Sequence, residues 1–331
     1  MDKAQSADRF YVGYKVLDLK YRAADMEKTL TAAVWYPTAA TPKQYVYGGP
    51  THGKVTLDAE PCNGAGPYPL IVFSHGYGGC GLGAAFFTEA LAARGWIVVA
   101  PDHHDRHNAF RIRTGRDMYF NGRDFLRYAR KIARSAPEDR HAYLYRLDEM
   151  KLALDGIVQS RPLAKLIDRE KMAVGGHSFG GFTALGLCGT IEKRRDRRIK
   201  AVLLFSTGAG GYLYRERELA NVKMPSMYFL GELERNRKRG NKTMGELADK
   251  VYRNLSPPKY FLEIKGANHF SFNNQLTDKP AARFFSGKED FFKIIRQYSI
   301  AFLEKHVAGK KDSQGVLDQQ DPSLTRYLRQ R

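Results

Sequence analysis

The sequence predicts an α/β fold: a mostly parallel sheet with helices on both faces and a helical cap inserted on one side. Two observations carry this. From Tyr68 onward, short apolar runs of strand length alternate with helical segments, the pattern of a parallel sheet with covered faces. Within that alternation, Met172-Ala-Val-Gly-Gly-His-Ser-Phe-Gly-Gly-Phe182 runs from an apolar strand through a glycine-flanked serine into a small-residue helix, Phe182 to Cys188. This is G-x-S-x-G in the strand–turn–helix setting that gives the motif meaning. The turn strains the central residue and presents the Ser178 hydroxyl above the sheet, while Gly176 and Gly180 let helix and strand approach.

The elements follow in order. Tyr11 to Tyr21 and Leu30 to Tyr36 read as two antiparallel strands, and Thr38 to Pro67, rich in Pro, Gly and Thr, as a long surface connection. Leu70-Ile-Val-Phe73 and Trp96-Ile-Val-Val-Ala100 are strands on either side of a helix over Gly83 to Arg94. Phe110 to Arg146 is polar, basic and aromatic, fits no simple crossover, and reads as the cap. Leu147 to Gln159 is an amphipathic helix. Met172-Ala-Val174, Ala201-Val-Leu-Leu-Phe205, Ser226-Met-Tyr-Phe-Leu230 and Tyr260-Phe-Leu-Glu-Ile264 are four more strands, and Phe291 to His306 is a closing helix. One domain over 1–309 is expected, with the cap at about 110–146 and a loosely held polar tail over 310–331.

Composition narrows the function classes. The chain has 331 residues, 43% of them hydrophobic, enough for one large domain. No run of about 18 apolar residues suggests a membrane span. Met1 to Phe10 lacks an apolar signal core, so the sequence as written reads as cytoplasmic, or as secreted or periplasmic if a signal was removed. Cys62, Cys80 and Cys188 make no disulfide framework, and Cys188 reads as a small buried residue. The net charge of +19 includes the clusters Lys193-Arg-Arg-Asp-Arg-Arg198 and Arg235-Asn-Arg-Lys-Arg239. These read first as a solvated basic surface that aids solubility, with peripheral contact with anionic surfaces as the alternative. Without interleaved aromatics they do not suggest a nucleic-acid platform.

A serine hydroxyl needs a base, an orienting acid and donors for the oxyanion. His269, in the loop Lys265-Gly-Ala-Asn-His269 after the last predicted strand, is the candidate base. The acid is Glu234 or, two residues earlier, Glu232. Phe179 supplies one oxyanion N–H. The loop Ser74-His-Gly-Tyr-Gly-Gly79 supplies the second, from Tyr77 or from Gly76. His75, Gly76, His104 and His177 are candidate substrate contacts. A rival reading takes Gly76-Tyr-Gly-Gly-Cys-Gly81 as a dinucleotide-binding G-x-G-x-x-G, with Asp102 as the ribose ligand of an NAD(P)-dependent oxidoreductase. A second rival is a catalytically dead binding protein that uses its basic face. Asp102-His-His-Asp-Arg-His107 lacks metal-ligand spacing, so neither metal nor cofactor is expected.

Val34-Trp-Tyr-Pro37, Phe73-Ser-His-Gly-Tyr-Gly78, Gly95 to Arg106, Ile167 to Gly181 and Gly266-Ala-Asn-His269 together resemble the platelet-activating-factor acetylhydrolase and dienelactone-hydrolase-like α/β-hydrolases, relatives of bacterial polyester hydrolases. The resemblance implies a calcium-independent serine esterase acting on short-acyl, small or polymeric esters through an acyl-enzyme. It also implies a departure. The acetylhydrolase acid follows the strand after the nucleophile helix, and that strand here ends Leu204-Phe205-Ser206-Thr207. The acid then sits one strand later, where cutinase-like polyester hydrolases have Glu-x-Asp and this chain has Glu232-Leu-Glu234.

Overall fold

Strands that read as unbroken apolar runs are strands covered on both faces, and the covering elements decide where the loops emerge. The computed structural model describes residues 10–23 and 25–331. The polar residues 1–9, which bear on the signal-peptide expectation, lie outside the described residues. Among the described residues, eleven strands form one sheet: β1 (Tyr11–Ala23), β2 (Met26–Thr38), β3 (Lys43–Gly48), β4 (Thr51–Leu57), β5 (Tyr68–Ser74), β6 (Ile97–Pro101), β7 (Ile167–His177), β8 (Ile199–Phe205), β9 (Ser226–Gly231), β10 (Lys259–Ile264) and β11 (Leu324–Gln330). Their spatial order is β11-β10-β9-β8-β7-β5-β6-β2-β1-β4-β3. The centre, from β6 through β5, β7, β8 and β9 to β10, is parallel. Antiparallel β2 and β11 flank it.

The sheet separates two apolar layers. One holds Leu147, Met150, Leu154, Phe179, Phe182 and Val251 from α3 (Tyr145–Ile157), α4 (Phe179–Leu185) and α5, which here denotes Met244–Asn254. The other holds Phe87, Leu91, Ile295 and Phe302 from α1 (Ala85–Ala93) and α6, which here denotes Glu289–Leu303. The strand order reverses beside β5: the chain goes next to β6 on one side and then to β7 on the other. Ligand crevices in open α/β sheets form at such a switch point, outside the carboxyl ends of the strands. The loops after β5 and β7 carry His75–Gly79 and Ser178.

Three expectations need revising. The connection over Thr38 to Pro67 contains the hairpin β3–β4, which extends the sheet, with β4 running parallel to β1. Its strand signal, Tyr45-Val-Tyr47, is short, and Gly48-Gly49-Pro50 beside it reads as loop. The segment 110–146 is only partly helical. A short hairpin pairs Phe110–Arg111 with Gly115–Arg116, then α2 (Gly122–Ala133) follows, capped by Asn121 Oδ1, which accepts from the N–H groups of Arg123 and Asp124. The residues after Lys310 are no loose tail. They return to the sheet and add β11 along β10, from Lys259 opposite Gln330 to Ile264 opposite Leu324. Leu324, Leu328 and the Tyr327 ring supply the apolar contacts, and the interspersed Arg326, Arg329 and Arg331 make the stretch read as solvated.

Candidate active site

Ser178 follows β7 directly in a conformation L-residues avoid, φ 54° and ψ −115°, and leads into α4. The glycines around it are required by space. A Cβ on Gly176 would lie 2.3 Å from the Gly180 carbonyl oxygen, and one on Gly180 would lie 2.0 Å from that of Ser74. Larger residues at either position would drive helix and strand apart and lower the hydroxyl.

The loop after β10 folds back over the strand ends and carries His269 to Ser178. His269 Nε2 stands 2.8 Å from Ser178 Oγ, and Nδ1 stands 3.0 Å from Glu234 Oε2. Glu234 is buried, 1% exposed, in a single turn of 3-10 helix after β9, and its Oε1 accepts the Gly231 N–H at 2.9 Å. Of the two carboxylates left open by the sequence, Glu234 is the one on the imidazole. Glu232 accepts the Gly266 N–H at 2.8 Å and only braces the loop. A carboxylate fixing Nδ1–H leaves Nε2 as the acceptor facing a hydroxyl, which is the arrangement for general-base activation of that hydroxyl.

The oxyanion candidates flank this chain of hydrogen bonds. Among the described residues, neither the Phe179 nor the Tyr77 N–H is used in a backbone hydrogen bond outside regular elements. Gly76 lies against Ser178: a Cβ there would be 3.1 Å from Ser178 Cβ. The segment 110–146 packs on the same loop. Tyr77 stacks on Phe125 at 5.5 Å and on Tyr128 at 5.5 Å, and Phe179 meets Tyr143 edge-on at 5.2 Å.

Two histidines read as substrate contacts are placed elsewhere. His177 is 3% exposed, and its Nε2–H donates to the His269 carbonyl at 2.9 Å. Burial drives its pKa down to about 3, with the neighbouring His269 adding to the effect. It is a neutral prop under the His269 loop. His75 is also buried. It donates from Nδ1 to the Gly76 carbonyl at 2.7 Å and accepts the His103 N–H on Nε2 at 3.0 Å. Burial holds His75 well below the usual histidine range, helped by the Arg146 charge. Histidines beside a motif serine look accessible in a sequence, whereas these rings are buried under the loops. His104 is partly exposed and gives Nδ1 to Glu149 at 2.7 Å.

Beneath the β5 loop lies a polar network that sequence reading missed. His103 joins Glu149 Oε2 at 2.8 Å to Ser74 Oγ at 2.8 Å. Burial would raise the Glu149 carboxyl, but the hydrogen bonds from His103 and His104 hold it down at about 2. Arg146 is fully buried, donates to the His75 carbonyl at 2.6 Å and lies over the Phe179 ring at 4.8 Å. One guanidinium therefore grips both segments that carry the oxyanion candidates. The available signal was a pair of charges, Arg146 and Glu149, on the apolar stripe of a helix that also carries Met150 and Ala153. Asp102 is likewise structural. It is buried and its two oxygens accept the N–H groups of Gly81 and Ile112, each at 2.7 Å, so it braces the backbone, which does not favour the dinucleotide reading.

Comparison with known proteins agrees with this architecture. The family model for platelet-activating factor acetylhydrolase, isoform II, matches residues 44–159 and 147–324. The chain belongs to that family. Relatives include the platelet-activating factor acetylhydrolase of Canis lupus familiaris, 26% identical over 292 residues (78% of this chain, 62% of the relative), and that of Cavia porcellus, 26% identical over 290 residues (79% and 63%). This family member thus spans less than two thirds of the length of those relatives. A ferulic acid esterase from Streptomyces cinnamoneus shares the α/β-hydrolase fold, with a TM-score of 0.70 and 19% identity over 98% of this chain and 95% of that one.

Proposed function

We propose that the protein is a serine carboxylic ester hydrolase that works through an acyl-enzyme on short-acyl or otherwise small esters. One observation carries the reading: the continuous hydrogen-bonded chain Ser178–His269–Glu234 at the carboxyl ends of β7, β9 and β10. Ser178 Oγ adds to the ester carbonyl as its proton passes to His269 Nε2. Glu234 stabilises the imidazolium through Nδ1–H, and the N–H groups of Phe179 and Tyr77 meet the oxyanion. Collapse breaks the C–O bond, and the alcohol leaves with the proton from Nε2. Water then repeats the cycle on the acyl-serine and releases the acid.

Relatives named for acetyl hydrolysis support a short acyl group. The aromatic set Tyr77, Phe125, Tyr128 and Phe179 supports an enclosed apolar site. Two tests follow. A fluorophosphonate probe should label the wild-type protein and not Ser178→Ala. A p-nitrophenyl ester series from acetyl to dodecanoyl should show kcat/KM falling at least tenfold across the series. Equal labelling of Ser178→Ala, or turnover rising toward dodecanoyl, would refute the reading in its nucleophile or in its acyl preference.

A further inference from the structure

The chain of hydrogen bonds holds a fourth member. Ser206 follows β8 directly, is fully buried, and its Oγ lies 2.6 Å from His269 Nδ1 and 2.7 Å from Glu234 Oε2. Both distances are shorter than the 3.0 Å between the imidazole and the carboxylate themselves. We propose that Ser206 is a positioning residue of the esterase reaction, interposed between Glu234 and His269; the inference rests on the function proposed above.

The hydrogen-bond directions allow one arrangement. Ionised Glu234 has no proton to give, so the Ser206 hydroxyl donates to Oε2. Its oxygen lone pairs then face Nδ1–H, which is shared between Ser206 Oγ and Glu234 Oε2. Nε2 is left without a proton and faces Ser178. When the imidazolium forms, it finds two acceptors on Nδ1–H, one a hydroxyl polarised by the carboxylate. Ser206 keeps its own proton throughout; only its dipole works.

The backbone makes the same point independently. Ser206 has φ 46°, in the left-handed region that favours glycine. Its N–H continues the sheet by donating to the Phe229 carbonyl at 2.8 Å, a bond any residue but proline could make. Among the described residues the hydroxyl contacts only His269 and Glu234. A serine at a glycine-favouring position, with its one polar group spent on the triad, is held there by what the hydroxyl does.

The test separates this from a packing role because glycine relieves the backbone. Ser206→Gly should keep or raise Tm, lower kcat on the order of 10- to 100-fold as expected for losing a hydrogen bond to a charged group, and leave KM within about twofold. Ser206→Ala, which keeps Cβ, should lower kcat by a similar factor. The rate of fluorophosphonate labelling of Ser178, which needs no knowledge of the natural ester, should fall in parallel. A Ser206→Gly protein with wild-type kcat and labelling rate overturns the proposal while leaving the esterase reading intact. So does a change confined to KM. A wild-type protein that neither labels nor turns over any ester overturns both.

Discussion

Glu232 and Glu234 stand two residues apart in one turn of 3-10 helix, and that turn sends them to different fates. Glu234 goes inward to His269 and the Gly231 N–H; Glu232 goes to the surface and the Gly266 N–H. Glu234→Gln should therefore cost on the order of 10³–10⁴ in kcat, because an amide neither orients the tautomer nor stabilises the imidazolium. Glu232→Gln should stay within about fivefold. Steady-state kinetics on the two variants check this, and the reverse ranking would move the acid to Glu232. At this scale, legibility follows the range of the interactions. Ser178 and His269 announce themselves through local sequence: a glycine-flanked turn, and small residues after a strand. Ser206, Arg146 and Glu149 do not, because their partners lie 63, 71 and 46 residues away, at His269, His75 and His103. The burial of His75 and His177 is illegible for the same reason: nothing local to them shows that their rings lie under the loops.

Elements were legible where burial makes a pattern. The parallel strands, apolar on both faces, could be read directly, as could α3 and α6. The edges of the sheet could not. β3, β4 and β11 carry polar and charged residues because one face or one edge meets solvent. β11 shows what such an edge is for. It occupies the open hydrogen-bonding side of β10, the strand that launches the His269 loop, and Tyr327 OH ties it to the Leu317 carbonyl at 2.6 Å. An uncovered edge next to apolar Phe261 and Leu262 is a template for intermolecular pairing. Deleting residues 324–331 should lower Tm by several degrees, since a loss of about 1 kcal/mol already shifts a domain of 150–250 residues by 2–4 °C. It should also bring concentration-dependent aggregation. Thermal melts and light scattering at two protein concentrations test this, and an unchanged Tm with a monodisperse sample would show that β11 is dispensable.

Across the whole molecule, the candidate site rests on neutral buried histidines packed around Ser178, and this gives the fold a pH dependence of definite sign. Burial keeps the pKa values of His75, His103 and His177 below 6.5, and Glu149 is held at about 2. A histidine with a depressed folded pKa contributes stability that is present above its unfolded value and is lost as pH falls toward the folded value, because the unfolded chain takes up the proton first. Each such group adds a slope of about 1.4 kcal/mol per pH unit within its window. For His177 that window runs from 6.5 to about 3. Glu149 acts in the same direction below 4.5. Asp102, raised to about 6 by burial, opposes them in part between 6 and 3.8. Stability from urea unfolding should thus decline between pH 7 and pH 4.5, with a shallower decline in His177→Gln. The net charge of +19 grows as carboxylates protonate, and its self-repulsion would also destabilise the protein in acid. Salt distinguishes the two causes. Repulsion between exposed charges is screened over about 10 Å at 0.1 M ionic strength and over less at higher salt, whereas neutral buried rings are indifferent to it. A decline that persists at high salt and flattens in His177→Gln assigns the acid sensitivity to the histidines under the active-site loops; one abolished by salt alone assigns it to the basic surface.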